Sequence, residues 1–182
     1  MAICTKNGDD GYTSVPCLGR VLKCKESVDA LGAVDELNAL IGIIREEYEL
    51  CFFLKNIQHA LFAVGSQIAC DQEFIKEEHV LKVEKEIEEM ESKLLSLNNF
   101  IIPIYPAKVH LARAVCRRAE RDVIRFRNKE PDRKFCDIPI KYLNRLGDYL
   151  FVLARYIAHN NLFQIGDNLL LVNEELWDKN EF

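Results

Sequence analysis

Two stretches of this chain gather guanidinium groups at spacings that call for an anion. In Arg113-Ala-Val-Cys-Arg-Arg-Ala-Glu-Arg121, the residues Arg113, Arg117, Glu120 and Arg121 fall at i, i+4, i+7 and i+8, one stripe of a helix, with Arg118 beside it. In Asn144-Arg-Leu-Gly-Asp-Tyr-Leu-Phe-Val-Leu-Ala-Arg155, the residues Asn144, Asp148 and Arg155 form a second stripe at i, i+4 and i+11. Arginine forks onto phosphate oxygens and keeps its charge at any working pH. Glu120 has the chemistry to orient those forks or to hold a magnesium ion that accompanies a nucleotide. The spacing therefore points to a phosphate-bearing ligand between helices. Salt bridges on a solvated face are the competing reading of the same pattern.

A second candidate anion site lies near the N-terminus, in Thr5-Lys-Asn-Gly-Asp-Asp-Gly-Tyr-Thr-Ser14. Gly8 and Gly11 let backbone N–H groups converge on an anion, and Thr5, Lys6, Thr13 and Ser14 add donors and a charge. Arg20 and Lys23 extend the basic lining. The Gly-x-x-x-x-Gly-Lys-Ser/Thr loop is absent, and a frayed polar terminus is the alternative. Asp35 and Glu36 interrupt an apolar helical pattern, where a carboxylate needs a cation, and the arginine stripe is the obvious supplier. Other chemistries lack their motifs. No Glu-x-x-His surrounds His59, His79, His110 or His159, and no Gly-x-Ser-x-Gly occurs.

The elements that must position these residues read as helices. Residues 26–48 place Leu31, Val34, Leu37 and Ile41 at helical spacing, and 50–70 place Phe53, Ile57, Leu61, Val64 and Ile68. Val80, Val83, Ile87, Met90, Leu94 and Leu97 alternate steps of three and four, a bundle seam whose outer Lys/Glu face reads as solvated. Beyond Pro103 and Pro106, a helix over 107–128 buries Ala112, Val115, Ala119, Val123 and Phe126. Pro131 and Pro139 bracket a loop before a last helix over 140–160. Residues 1–25, with Gly8, Gly11, Pro16 and Gly19, read as a looped segment, and Leu169–Val172 as strand or short helix. The fold class is all-α, a bundle of about five helices in a single domain over 1–182: loop 1–25, bundle 26–160, tail 161–182.

Composition bounds the partners. With 182 residues, 49% hydrophobic and 29% charged, the chain matches a soluble single domain. A net charge of −5 disfavours nucleic acid, although an RNA-binding face along Arg113–Arg127 is a remote rival. No apolar run is long enough to span a bilayer, and the start lacks the pattern of a secretory or transit signal. Seven cysteines without a Cys-x-x-Cys pair argue against a disulfide framework or zinc and for a reducing compartment, cytoplasm or organellar matrix. Cys51, Cys70 and Cys116 read as small buried residues.

Taken together, Thr-Lys-x-Gly-Asp-x-Gly-x-Thr-Ser (5–14), Gly-Ala-Val-Asp-Glu-Leu-Asn (32–38) and the two arginine-bearing stretches resemble the PduO-type ATP:cob(I)alamin adenosyltransferases. The likeness runs in order from residue 3 to about 160. It implies a ferritin-like five-helix bundle that forms homotrimers with ATP between subunits, and transfer of the 5′-deoxyadenosyl group to cob(I)alamin with release of triphosphate. By that resemblance Thr5, Lys6, Gly8, Thr13 and Ser14 wrap the triphosphate and Lys23 supports it. Arg117, Glu120 and Asn144 contact the nucleotide or its magnesium, with Glu120 the metal contact. Asp35 and Arg113 pair across subunits near the corrinoid, Asp148 orients the site, and Phe100 and Phe151 wall the cobalt. The resemblance also leaves room for a protein partner, a reductase delivering cob(I)alamin or a cobalamin-dependent acceptor enzyme.

Two departures from that family stand out. Phe100-Ile-Ile-Pro-Ile-Tyr-Pro106 lacks the family's Gly-Gly and runs short before Arg113, and Gly147 replaces a serine beside Asp148. The first motivates an alternative reading, a catalytically weak ATP-binding regulatory or scaffold relative.

Overall fold

A computed structural model describes residues 4–48, 52–134, 136–160, 162–165 and 168–171. Its helices are α1 (Glu26–Glu47), α2 (Phe53–Cys70), α3 (Glu77–Glu91), α4 (Ala107–Lys129) and α5 (Asp137–Asn160). Two hairpins join them, β1 (Tyr12–Val15) with β2 (Gly19–Leu22), and β3 (Leu162–Ile165) with β4 (Asn168–Leu171).

Ion pairs record how the helices run. Lys25–Glu130 at 2.8 Å, Arg118–Glu36 and Lys108–Glu47 join α1 to α4 at successive levels, so these helices are antiparallel. Arg127–Asp137 at 2.8 Å and Asn144–Glu120 at 3.2 Å set α5 antiparallel to α4. Lys141–Glu77 and Arg145–Glu84 make α3 run alongside α5 in the same direction. Between them Leu37, Ile41, Ile57, Ile68, Val123, Phe126, Leu143 and Leu146 are fully buried. Each such side chain contributes roughly 1.5–3 kcal/mol through burial, whereas exposed pairs add little. The pairs select direction; the apolar seams hold the bundle.

Three expectations change, and the open choice in the tail resolves to strand. The third seam stops early: α3 ends at Glu91, and Leu97 is 38% exposed. Ser92 Oγ donates to the Glu89 carbonyl at 2.9 Å, a local side-chain bond, and the Arg155 guanidinium donates to the Leu95 carbonyl at 2.8 Å, a tertiary donor in place of a helical one. The fifth helix begins at Asp137 with Pro139 inside its first turn, where a missing N–H leaves no bond unmade. Residues 1–25 are more than a loop. They contain the antiparallel β1–β2 ladder, Tyr12 opposite Leu22 and Val15 opposite Gly19, short and polar enough to leave little strand signal. In the tail, 168–171 is strand, with Val172 outside the described residues.

The cysteine expectation also needs correcting. Cys17 in the hairpin turn is bonded to Cys70 at the end of α2, with Cα atoms 4.9 Å apart. An odd cysteine count excludes complete pairing, but a single bridge depends on which residues the fold brings together. Cys116 and Cys136 are buried free thiols, Cys4 and Cys24 are exposed, and Cys51 lies outside the described residues. Among the described residues, no helix is long and apolar enough to cross a membrane.

Candidate functional site

The arginine stripe of α4 faces α5 along a narrow crossing. A Cβ on Gly147 would sit 3.8 Å from Arg117 Cγ, so the aliphatic stem of Arg117 lies across the α5 backbone while its head is exposed. One turn further along, Asn144 Nδ2 donates to Glu120 Oε1 at 3.2 Å, which orients that carboxylate. Below them, Cys116 Sγ donates to the Leu143 carbonyl at 3.2 Å. Burial, reinforced by the Glu120 charge, pushes the Cys116 thiol far above its ordinary range, so it stays protonated and serves packing. Asn144 and Glu120 thus meet across the α4–α5 seam, with Arg117 one turn away on α4. Arg117 makes no ion pair or hydrogen bond among the described residues, and its head is open to solvent.

One turn toward the other end of α4 lies a cleft of about 700 Å³, lined by Phe100, Phe151, Arg113, Asp148, Arg145 and Glu84 among others. Among its lining are Arg113 and Asp148 from the two polar stripes and Phe100 and Phe151, which only the family resemblance had singled out. Arg113 stacks over the Phe151 ring, 5.2 Å from its centroid. Phe100 is 79% exposed at the rim. Asp148 Oδ2 accepts from Arg145 Nη1 at 2.7 Å, and Arg145 Nε reaches Glu84 Oε1 at 2.9 Å on α3. The hydrogen bond to Glu84 raises the Arg145 pKa, so the guanidinium is locked in charge as well as place. Sequence reasoning missed both Arg145 and Glu84. Arg145 lies three residues before Asp148, a spacing that pairs side chains on one helix face, and Glu84 looked like part of a solvated surface.

Arg155 departs from its expected stripe. It is 8% exposed and bonds the Leu95 carbonyl, so it braces the segment after α3. Glu36 has its arginine partner in Arg118, but Asp35 faces the other way. Asp35 lines a groove of about 370 Å³ between α1 and α2, together with Asn38, Leu31, Phe62, Pro16 and Cys70. There Phe62 is 68% exposed, and the Asn38 side-chain oxygen, though buried, has no hydrogen-bond partner. Asp35 and Arg113 therefore do not meet within one chain.

The N-terminal segment forms a closed turn. Lys23 Nζ donates to the Gly8 carbonyl at 2.8 Å, and the Lys23 N–H donates to the Gly11 carbonyl at 2.9 Å. Lys6 (φ 58°) and Gly11 (φ 85°) take left-handed conformations that fold the strip back on itself. Thr5 and Lys6 are exposed near Gly8. Thr13 and Ser14 are neighbours on β1, so their side chains leave opposite faces of the hairpin. The Cys17–Cys70 bond holds this hairpin at the C-terminal end of α2, and among the described residues no hydrogen bond or ion pair joins residues 5–14 to Arg117, Glu120 or Asn144.

Against known proteins, a family model described as cobalamin adenosyltransferase matches residues 3–157. The chain belongs to the cobalamin adenosyltransferase family. Relatives of this adenosyltransferase include the corrinoid adenosyltransferase MMAB of Bos taurus, 35% identical over 86% of this chain and 71% of that protein. The corrinoid adenosyltransferase of Bacillus subtilis is 34% identical, covering 92% of this chain and 91% of its own. Among solved structures, a PduO-type ATP:corrinoid adenosyltransferase variant from Lactobacillus reuteri complexed with ATP superposes with a TM-score of 0.76 at 30% identity, covering 85% of this chain and 93% of that one. Another variant of that enzyme, complexed with cobalamin and ATP, gives 0.76 at 28% identity over 86% and 90%.

Proposed function

We propose that this chain transfers the 5′-deoxyadenosyl group of ATP to cob(I)alamin at a site completed by a second copy of the chain. Family membership supports the reaction, and one observation supports its placement. The Arg117–Glu120–Asn144 cluster and the Arg113–Asp148–Phe151 cleft adjoin along the same two helices, about one turn (~5 Å) apart. Adenosyl transfer needs that adjacency, because the 5′ carbon of the nucleotide must reach the metal of the corrinoid.

In the reaction the cobalt electron pair attacks C5′, the carbon–oxygen bond to the triphosphate breaks, and triphosphate leaves. No proton transfer is required. The chain's work is to align the reactants, screen the leaving charge and keep water out. Arg117 takes the departing anion with its free fork. Asn144 sets Glu120, and the turn from Thr5 to Ser14, closed by Lys23, wraps the phosphates. Arg113, held flat on Phe151, and Phe100 form the wall beside the corrinoid, with Asp148 held in place by Arg145. Magnesium fits as a companion of the nucleotide: Glu120 offers one carboxylate, and the described residues hold no cluster of three or more acidic, histidine or cysteine ligands. That suits a hard cation that binds through one protein carboxylate and substrate phosphates.

Assembly follows from what one chain leaves unfinished. The hairpin lies at the far end of α1 and α2, beside Glu130 of α4, whereas Arg117 is thirteen residues, roughly 20 Å, up that helix. A second subunit docking on the α1–α2 groove brings Asp35 to a neighbour's Arg113 and gives Asn38 a donor. Three subunits close such a head-to-tail contact into a ring. Anaerobic incubation with ATP and chemically reduced cob(I)alamin tests the assignment. Equimolar light-labile adenosylcobalamin and triphosphate are expected from a trimer by light scattering. ATP binding without that product would assign the regulatory role instead.

A further inference from the structure

The hairpin bearing Thr13 and Ser14 meets the bundle at its turn. Val15 is buried, Pro16 lines the α1–α2 groove, and Cys17 is bonded to Cys70, the last residue of α2. Away from that turn the hairpin is held by its own ladder and by Lys23, and Tyr12, Ser14, Arg20 and Leu22 are exposed. The sulfurs have no part in adenosyl transfer. They lie outside the α4–α5 cleft, at the end of the molecule that carries the nucleotide turn. The Cα separation of 4.9 Å is ordinary for a disulfide, and Cys17, exposed and outside the lining of the α1–α2 groove on which a second subunit would dock, is the sulfur open to exchange with a small thiol.

We propose that Cys17–Cys70 is a thiol–disulfide modification site that sets how tightly the N-terminal hairpin holds the triphosphate of ATP. The inference rests on the reading that residues 5–14 wrap that triphosphate. Ser14 stands three residues before Cys17 along the strand. With the bridge closed, the turn is anchored to α2, and the donors on β1 are ordered before the nucleotide arrives. With the bridge open, that ordering must be done on binding, and affinity falls by the lost freedom. Cys17 also sits at φ 62°, a left-handed conformation uncommon for a side-chain-bearing residue. The anchored turn keeps it there.

The chemistry balances with a low-molecular-weight disulfide such as oxidised glutathione as the oxidant. The Cys17 thiolate attacks one glutathione sulfur and expels a glutathione thiolate. The Cys70 thiolate then attacks the Cys17 sulfur and expels the second. Two protein thiols are oxidised and one small disulfide is reduced to two thiols, with both protons passing to solvent or to the departing thiolates.

The test uses the full chain equilibrated with oxidised or reduced glutathione. Alkylation and peptide mapping locate the bridge, and calorimetry measures ATP affinity of each form and of the C17S/C70S double variant. The bridge should map to Cys17 and Cys70, and the oxidised form should bind ATP about ten-fold more tightly than the reduced form. The double variant should bind like the reduced form under both conditions, with an unchanged helical spectrum. Alkylation of both cysteines after oxidation overturns the proposal, as does a mapped bridge with equal affinities. Failure of both forms to bind ATP would instead sink the nucleotide reading on which it rests.

Discussion

Arg117→Ala separates a ligand-binding arginine from a structural one. The Arg117 head is exposed and has no ion-pair partner among the described residues, so its loss costs the fold little. The stem's contact with Gly147, 3.8 Å to a hypothetical Cβ, is the packing at stake. A surface truncation of this kind changes stability by about 0.5 kcal/mol or less. The effect on the reaction is larger. A donor aimed at charge that develops on a leaving group is worth about 3 kcal/mol, on the order of a hundred-fold in rate. Turnover of ATP and cob(I)alamin, followed by the absorbance change at the cobalt, should therefore fall on the order of a hundred-fold while the thermal midpoint barely moves. Arg117→Lys should recover part of the rate, since the charge remains but the two-pronged geometry is lost. An alanine variant within three-fold of the native rate would refute the assignment of Arg117 to the leaving triphosphate. A variant that fails to fold would refute the packing analysis instead.

The remaining predictions address other parts of the site. Asn144→Ala should raise the KM for ATP more than it lowers the limiting rate, because it frees Glu120 without removing a charge; steady-state kinetics with varied ATP checks this. Glu84→Gln, about one third exposed at its contact with Arg145, should lower stability by less than about 1 kcal/mol yet weaken cobalamin binding, read by fluorescence quenching, as Arg145 and Asp148 lose their brace. Phe62→Glu, on the exposed α1–α2 groove, should give a folded monomer by light scattering with little turnover. Burial raises the Glu86 pKa, so folding opposes its ionisation. Its contribution is absent below the unfolded carboxyl value and becomes destabilising as pH rises from there through the raised folded value. Glu86→Gln should therefore raise the thermal midpoint at pH 7 but not at pH 3.5.

The helices were legible because their apolar residues recur every three or four positions, and the same period put Arg113, Arg117 and Glu120 on one stripe. That period does not reveal which helices meet: the Asn144–Glu120 bond joins two stripes read separately, and Phe100, which lies in no helix, reaches the cleft of Phe151, Arg113 and Asp148 only through the fold. The β1–β2 hairpin was not legible, since four-residue polar strands show no periodicity. Leu94 and Leu97 continued a seam that the helix itself does not follow. Arg155 shared a helical register with Asp148 but is consumed by a backbone carbonyl. For the seam and for Arg155, a partner distant in sequence outweighed the local pattern.

Sequence alone pointed to a helical bundle and a phosphate-bearing ligand, because the forked cations, the glycine turn and the apolar seams are properties of residue type and spacing. Tertiary structure decided which of those residues share a site. It gave Glu36 to Arg118 and left Asp35 outward, it bridged Cys17 to Cys70, and it recruited Arg145 and Glu84 to hold Asp148. Spacing fixes a side chain's direction only relative to its own helix. Its partner depends on how helices far apart in the chain cross, and that is set by the packing of the whole core.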